Sequence, residues 1–123
     1  MLDTSIAIHL RDADADVVAR LRAVDDNAAF SIVTLMELEA GLMEPESETR
    51  RARLNALLES IEVRSFDQRD VAAYGKIMAA LGFSRRKVLD RMIAAQAIVD
   101  DATLVTLNGA DFRDIPGLKL LEW

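Results

Sequence analysis

The sequence predicts an α/β fold with a short, mostly parallel central sheet that helices cover on both faces. Short strand-like stretches alternate with longer helical stretches along the 123 residues, and this alternation is typical of parallel sheets. One stretch, ATLVT at residues 102–106, is rich in apolar and β-branched side chains, as in a strand buried on both faces. The chain length suits a single domain over residues 1–123.

Capping residues and apolar spacing define the elements of the first half. Asp3 and Thr4 cap the first helix, and Gly41 followed by Pro45 marks the end of the third. Ser47, with its acid-rich first turn, begins the fourth. In chain order we predict a strand at 1–3, a helix through Leu10, a charged turn at 11–16, a helix carrying Val17, Val18 and Leu21, a strand at 28–31, helices at 31–43 and 47–58, and a strand at 61–66.

The second half continues the alternation. Gly82 ends a helix that begins at Asp67 or Gln68, and the pair Asn108 and Gly109 indicates a turn. In chain order we predict that helix to Leu81, a basic loop at 83–87, a helix at 88–98, a strand at 102–106, a polar loop at 107–114 and a strand at 118–121.

Asp90 begins the otherwise apolar helix VLDRMIAAQAI. Helical spacing from Asp90 reaches Ile93, Ala94 and Ala97, so the carboxylate shares the face that we expect to be buried. An inward carboxylate is costly unless it is hydrogen-bonded, paired with a cation, bound to a metal or reached by water. Alternatively, Asp90 only stabilises the first turn through the helix dipole.

The composition excludes several kinds of chemistry. The chain has no cysteine and one histidine, His9, which argues against thiolate zinc sites, cysteine nucleophiles and catalytic triads. No apolar run is long enough to span a membrane, and no signal peptide is evident, so we expect a cytoplasmic protein. A net charge of −6 disfavours coating nucleic acid by bulk attraction.

A local basic patch surrounds Asp90 in the sequence. It consists of Arg85, Arg86, Lys87 and Arg91. This patch is either a solvated start of the helix or a rim that steers phosphate groups towards an acidic centre.

Four acidic positions fall at or near the carboxyl ends of the predicted strands, where open parallel sheets bind ligands. They are Asp3, Glu37, Asp90 and the turn at 108–111; periodicity does not separate Glu37 from Glu39. Clustered carboxylates repel one another unless a cation binds. Oxygen ligands indicate Mg²⁺ or Mn²⁺, and such sites hydrolyse phosphodiesters.

Four motifs occur in a familiar order: MLDTS, SIVTLMELEAG, LDRMIAAQAI and LVTLNGADFRDIPGLKLLEW. Together they resemble the motifs of PIN-domain ribonucleases, and most closely those of the VapC-type toxins of bacterial toxin–antitoxin pairs. The resemblance covers nearly the whole chain. It implies a three-layer α/β/α sandwich, usually dimeric, that cleaves RNA with Mg²⁺ or Mn²⁺.

The resemblance also implies roles for individual residues. The family's acidic metal-binding quartet falls on Asp3, Glu37, Asp90 and the turn at 108–111, so it prefers Glu37 to Glu39. Asn108 replaces an aspartate that some members carry, which leaves the fourth role to Asp111 or to Asn108. The implied lining residues are Thr4, Ser5, where many members have asparagine, and Thr106; Arg85, Arg86 and Lys87 would contact the RNA backbone.

The implied partners are RNA, with transfer and ribosomal RNA as candidates, and a VapB-type antitoxin. We expect a homodimer, a larger assembly with the antitoxin, and no membrane contact. Apolar residues of the early helices form either a groove for a partner helix or ordinary core. These residues are Val17, Leu21, Leu54, Leu57 and Leu58.

Three other functions remain open at this point. A receiver-like signalling domain has a similar size and an acidic Mg²⁺ site, but it needs paired acids where Asp3 stands alone. A PIN fold that has lost catalysis could act as a scaffold, which the Asn108 departure permits. A DNA nuclease of related fold would differ in its preference for DNA over RNA.

Overall fold

The computed structural model describes residues 1–24, 27–45 and 47–123. Helices and strands alternate along these ranges, which confirms the predicted α/β class. None of the helices described there combines the length and apolar character needed to cross a membrane. The helices are α1 (Thr4–Arg11), α2 (Ala15–Ala23), α3 (Ile32–Ala40), α4 (Glu48–Leu58), α5 (Gln68–Leu81) and α6 (Val88–Val99), and the strands are β1 (Ala29–Ser31), β2 (Glu62–Arg64), β3 (Thr103–Thr106) and β4 (Lys119–Glu122).

A single residue, Leu2, occupies the centre of the sheet. It forms parallel bridges to Phe30 of β1 and to Val105 of β3. Because β2 pairs with β1 and β4 with β3, the order across the sheet is β4, β3, Leu2, β1, β2. All described pairings are parallel, so the carboxyl ends of the strands meet at one edge. Asp3 follows Leu2 directly and therefore stands at the middle of this carboxyl edge.

Two apolar cores lie on opposite faces of the sheet. Successive strand side chains point to opposite faces, so Leu104 of β3 joins one core and Val105 joins the other. Helices α1, α2 and α4 supply residues such as Ile6, Val17 and Leu54 to the core of Val105. Helices α5 and α6 supply the core of Leu104. This arrangement is the predicted three-layer sandwich.

The structure decides between the two interpretations of the apolar residues on the early helices. Val17 and Leu54 are buried, with 5% and 0% of their surface exposed. Leu21, Leu57 and Leu58 are half-buried and pack against the same core. Val17 and Leu54 therefore belong to ordinary core, and the groove interpretation is wrong for these two residues. Leu21, Leu57 and Leu58 keep part of their surface exposed at the edge of that core.

Some element ends differ from the sequence expectation. Helix α3 ends at Ala40 and continues as a 3₁₀ turn from Gly41 to Met43, because glycine favours the α-helix poorly. Ser47 is the N-cap of α4, but its side chain forms no capping hydrogen bond within the described residues. Its ψ of 0° departs from the extended backbone that lets a serine side chain reach back to the helix. The strand expected at 61–66 is confined to β2.

A buried ion pair joins β2 to α5. Asp70 is completely buried and accepts hydrogen bonds from Arg64 Nη1 at 2.6 Å and Nη2 at 2.8 Å. The Asp70 carboxylate also accepts the backbone N–H of Asp67 at 2.7 Å, which completes a capping box at the start of α5. Arg64 reaches Asp100 as well, at the end of α6. The pair therefore links both helices of one layer to the sheet.

We expect Asp70→Ala to lower the free energy of unfolding by about 3–5 kcal/mol, because it leaves a largely buried guanidinium without its main partner. Urea unfolding followed by circular dichroism measures this change. Arg69→Ala removes a neighbouring ion pair that is 71% exposed at the arginine, and it serves as the control with little expected effect. Equal urea midpoints for the two variants would show that the Arg64–Asp70 ion pair does not stabilise the fold as predicted.

Candidate active site

Asp3 is held in place at the carboxyl edge by three hydrogen bonds. Only 4% of its surface is exposed. Its Oδ1 accepts from Ser5 Oγ at 2.6 Å and from the backbone N–H of Ile6 at 3.0 Å. Its Oδ2 accepts from Thr106 Oγ1 at 2.5 Å. Because Asp3 is both the end of the central strand and the N-cap of α1, local chain geometry also fixes its position.

Ser5 and Thr106 connect Asp3 to the loop after β3. Ser5 Oγ accepts the backbone N–H of Leu107 at 3.1 Å. Thr106 Oγ1 accepts the backbone N–H of Asn108 at 2.9 Å. Each hydroxyl thus donates to the Asp3 carboxylate and accepts from the loop, so the loop and the carboxylate are positioned together.

Helix α3 directs Glu37 and Glu39 to different surroundings. Glu37 is half-buried and its Oε1 accepts from Thr4 Oγ1 at 2.6 Å. Glu39 is exposed and accepts two hydrogen bonds of 2.7 Å from Arg51. Helix α3 therefore brings Glu37 to the start of α1 and Glu39 to Arg51 of α4.

Thr34 is a further site residue that the sequence analysis did not single out. It is completely buried, and its Oγ1 lies 3.1 Å from Thr4 Oγ1, so it supports the hydroxyl that holds Glu37. The sequence signal that could have identified Thr34 is its position three residues before Glu37, since this spacing places both residues on one face of α3.

Asp90 lies in the first turn of α6 and is half-buried. Burial, followed in order by the charges of Asp111, Glu37 and Asp3, raises the pKa of Asp90 from 3.8 to about 6, and the charge of Lys87 opposes this shift. Asp90 therefore lies in the first turn of α6 and is also close enough to three other carboxylates for their charges to raise its pKa.

Asp111 and Asn108 belong to the exposed turn that follows β3. Gly109 is buried beneath the side chain of Glu122, and a Cβ at this position would overlap the Glu122 carboxylate. Arg113 in turn binds that carboxylate, so an ion pair clamps the turn. Of the charges that act on Asp90, that of Asp111 is the strongest.

The carboxylates are near one another without already forming a coordination shell. Within the described ranges, no three aspartate, glutamate or histidine side chains are arranged to hold a metal ion. The oxygens of Asp3 and Glu37 instead accept hydrogen bonds from hydroxyl groups.

The sequence model of the PIN domain matches residues 1–118. The chain belongs to the PIN-domain family. Ribonuclease VapC2 of Rickettsia felis is 31% identical to it over 132 residues, which cover 100% of this chain and 96% of the relative. The tRNA(fMet)-specific endonuclease VapC of Shigella flexneri is 32% identical over 127 residues, with coverage of 100% and 96%. Within the family, the chain is therefore of the VapC ribonuclease type.

Solved structures confirm the PIN fold. VapBC2 from Rickettsia felis, bound to a DNA fragment from its promoter, matches with a TM-score of 0.90 and 27% identity, covering 100% of this chain and 97% of the other. DNA-bound VapBC from Salmonella typhimurium matches with a TM-score of 0.87 and 25% identity, covering 100% and 96%. None of these matches favours the receiver-like alternative.

The four basic residues around Asp90 in the sequence differ in their exposure to solvent. Arg85 and Arg86 are exposed, and half-buried Lys87 lies 3.7 Å from the Asp114 carboxylate. Arg91 is only 4% exposed, and its Nη1 donates to the carbonyl oxygen of Gly82 at 2.7 Å. Assigning Arg91 to an exposed basic patch was wrong, because α6 turns this position towards the protein interior.

The pKa of Asp90 predicts how the stability of the metal-free protein depends on pH. Because the folded-state pKa of about 6 lies above the ordinary 3.8, the folded state retains a proton that the unfolded state has lost between these values. The corresponding stability is present below about pH 4 and is lost as the pH rises through about 6. We expect Asp90→Asn to raise the urea midpoint near neutral pH and to change it little at about pH 4.

The urea midpoints of the wild type and of Asp90→Asn are compared with a chelator present, so that bound metal does not affect them. Asp101→Asn makes the same change of charge at a residue whose side chain is 86% exposed, and it is the matched control. A lower midpoint for Asp90→Asn at neutral pH would contradict the prediction.

Proposed function

We propose that this PIN domain is a metal-dependent endoribonuclease and the toxin of a toxin–antitoxin pair. The observation that carries the proposal is the acidic group around Asp90, where Asp111, Glu37 and Asp3 all raise the pKa of one carboxyl. Such repulsion is unfavourable in the protein alone and is relieved when a cation binds. The relatives named ribonuclease and endonuclease support RNA as the substrate.

The donor set fits a hard divalent cation, because every candidate ligand is an oxygen. We assign Mg²⁺ or Mn²⁺ to Asp3, Glu37 and Asp90, with Asp111 or Asn108 as the fourth group. When bound, the cation would activate water and neutralise charge on the phosphodiester. Asp3 is held rigidly by hydroxyl and amide donors. Glu37, oriented by Thr4, is suited to accept a proton from the attacking water.

RNA would approach across the exposed arginines of the loop before α6. Arg85 and Arg86 precede Asp90 by four or five residues, so they can hold backbone phosphates next to the acidic site. Lys87 pairs with Asp114 and acts on Asp90, which places a third positive charge between the loop and the carboxylates. Transfer RNA and ribosomal RNA are the candidate substrates.

A VapB-type antitoxin is the partner that we propose, since the matching solved structures are VapBC complexes. A cavity of about 500 Å³ between α2 and the β3–β4 side of the sheet, lined by apolar residues together with Asp100 and Asp101, offers a docking surface. Residues that line it include Leu21, Val24, Val105, Leu121 and Trp123.

A second copy of the chain is the partner that we propose for another surface. A wholly apolar groove beside α3 supports a homodimer, and Ile32, Met36, Phe66 and Met92 contribute to it. The cytoplasm, where such an RNA is used, is the proposed location.

Glu37→Gln should lower metal-dependent RNA cleavage by about a hundredfold or more, because loss of metal-borne charge stabilisation costs several kcal/mol. Glu39→Gln, on the same helix but paired with Arg51, should cleave like the wild type. The assay compares cleavage of structured RNA by antitoxin-free protein with Mn²⁺ and with a chelator. RNA cleavage that persists in the chelator would contradict the proposal. An equal loss of cleavage in Glu37→Gln and Glu39→Gln would contradict it as well.

Arg86→Ala should weaken RNA binding and reduce the dependence of log Kd on log salt by about one unit, because one phosphate contact is lost. Anisotropy titrations at several salt concentrations measure both effects. Arg22→Ala changes the net charge equally on α2 and is the control. Mn²⁺ affinity should stay unchanged in Arg86→Ala; an unchanged salt slope would remove Arg86 from the RNA-binding surface.

A further inference from the structure

Phe83 is an exposed aromatic residue that precedes Asp90 by seven positions in the chain. It lies in the loop between α5 and α6, and 72% of its surface is exposed. The core clusters and the apolar groove beside α3 are lined by other described residues. The nuclease chemistry proposed above makes no use of this ring.

The neighbours of Phe83 are charged rather than apolar. Arg85 and Arg86 follow it closely and are both exposed. Neither guanidinium group forms an ion pair or hydrogen bond with another residue of the described ranges. The loop therefore presents one aromatic ring together with two guanidinium groups that are available to a ligand.

Arg91 fixes the loop relative to the acidic site. It immediately follows Asp90, and its Nη1 donates to the carbonyl oxygen of Gly82, which immediately precedes Phe83. Gly82 has a φ of +76°, a conformation that suits glycine and allows the sharp change of direction after α5. One hydrogen bond thus connects the residue before the ring to the residue after the carboxylate.

The burial of Arg91 lowers the stability of the fold, so we expect its side chain to have a compensating role. The side chain is almost completely buried, and its Nε has no hydrogen-bond partner in the part of the chain that the structure describes. A buried, incompletely satisfied guanidinium lowers stability. Its compensating contribution is the placement of the Gly82–Phe83 peptide.

We infer that Phe83 is a base-stacking residue that selects RNA with an unpaired nucleotide next to the cleaved bond, and that Arg91 positions it. The inference rests on the proposed ribonuclease function. An aromatic ring binds the face of a splayed base, and adjacent guanidinium groups hold the flanking phosphates. Bases within a duplex are already stacked and cannot offer that face.

The first test measures binding without cleavage. Metal-free protein in chelator is titrated into a labelled hairpin RNA with an unpaired loop, and into a fully paired duplex with the same stem. We expect the wild type to prefer the hairpin by about tenfold, a typical contribution of one stacked base. Phe83→Ala should abolish most of this preference, and Phe83→Trp should retain it. Val71→Ala, a truncation of an exposed residue on α5, is the matched control.

The second test locates the contact. Each loop nucleotide of the hairpin is replaced in turn by an abasic residue, and cleavage with Mn²⁺ is measured. One position should be sensitive in the wild type and insensitive in Phe83→Ala, because the ring and the base act as a pair. Arg91→Met, checked for folding by circular dichroism, should spread the cut over neighbouring bonds. If Arg91→Met does not fold, the abasic scan of the wild type and Phe83→Ala still tests the inference.

An unchanged ratio of hairpin to duplex binding in Phe83→Ala would overturn the inference. So would a change of oligomeric state in that variant with RNA binding intact, since Phe83 would then be a protein contact. If Phe83 governs hairpin binding while the wild type shows no metal-dependent cleavage, the stacking role stands and the ribonuclease proposal fails.

Discussion

Repulsion between carboxylates at one edge of the sheet is the constraint on which the rest of the site depends. Burial and the charges of Asp111, Glu37 and Asp3 raise the pKa of Asp90 to about 6. The fold creates this repulsion by ending the central strand at Asp3 and beginning α6 on the same side. The cation that we propose for this site would relieve the repulsion and so stabilise the folded protein.

Asp3 and Asp70, the two most buried aspartates among the described residues, have different kinds of hydrogen-bond partners. Asp70 is paired with the guanidinium of Arg64, which cancels its charge and makes it a structural residue. Asp3 is held by two hydroxyls and one amide, which fix its position without pairing it with a cationic side chain. An aspartate held in this way is suited to the cation that we propose, whereas Asp70 already has a cationic partner.

Local order in the sequence was a reliable guide to helix boundaries and caps. Asp3 caps α1 and Gly82 ends α5 as predicted, because a cap depends on the residues within one turn. Asp67, one of the two residues at which α5 was expected to begin, is its N-cap. The parallel α/β arrangement also followed from the alternation of elements. The family resemblance supplied the choice of Glu37, which periodicity alone did not.

Other features required the tertiary structure. Thr4 and Glu37 are 33 residues apart, and Asp3 and Thr106 are 103 apart, so no local pattern records these contacts. The same applies to Arg91, whose burial depends on the packing of α6 and the path of the preceding loop. The sequence by itself determined which residues could cap helices, form strands and carry charge. Only folding decided which charges meet, because burial and hydrogen-bond partners come from segments that are distant along the chain.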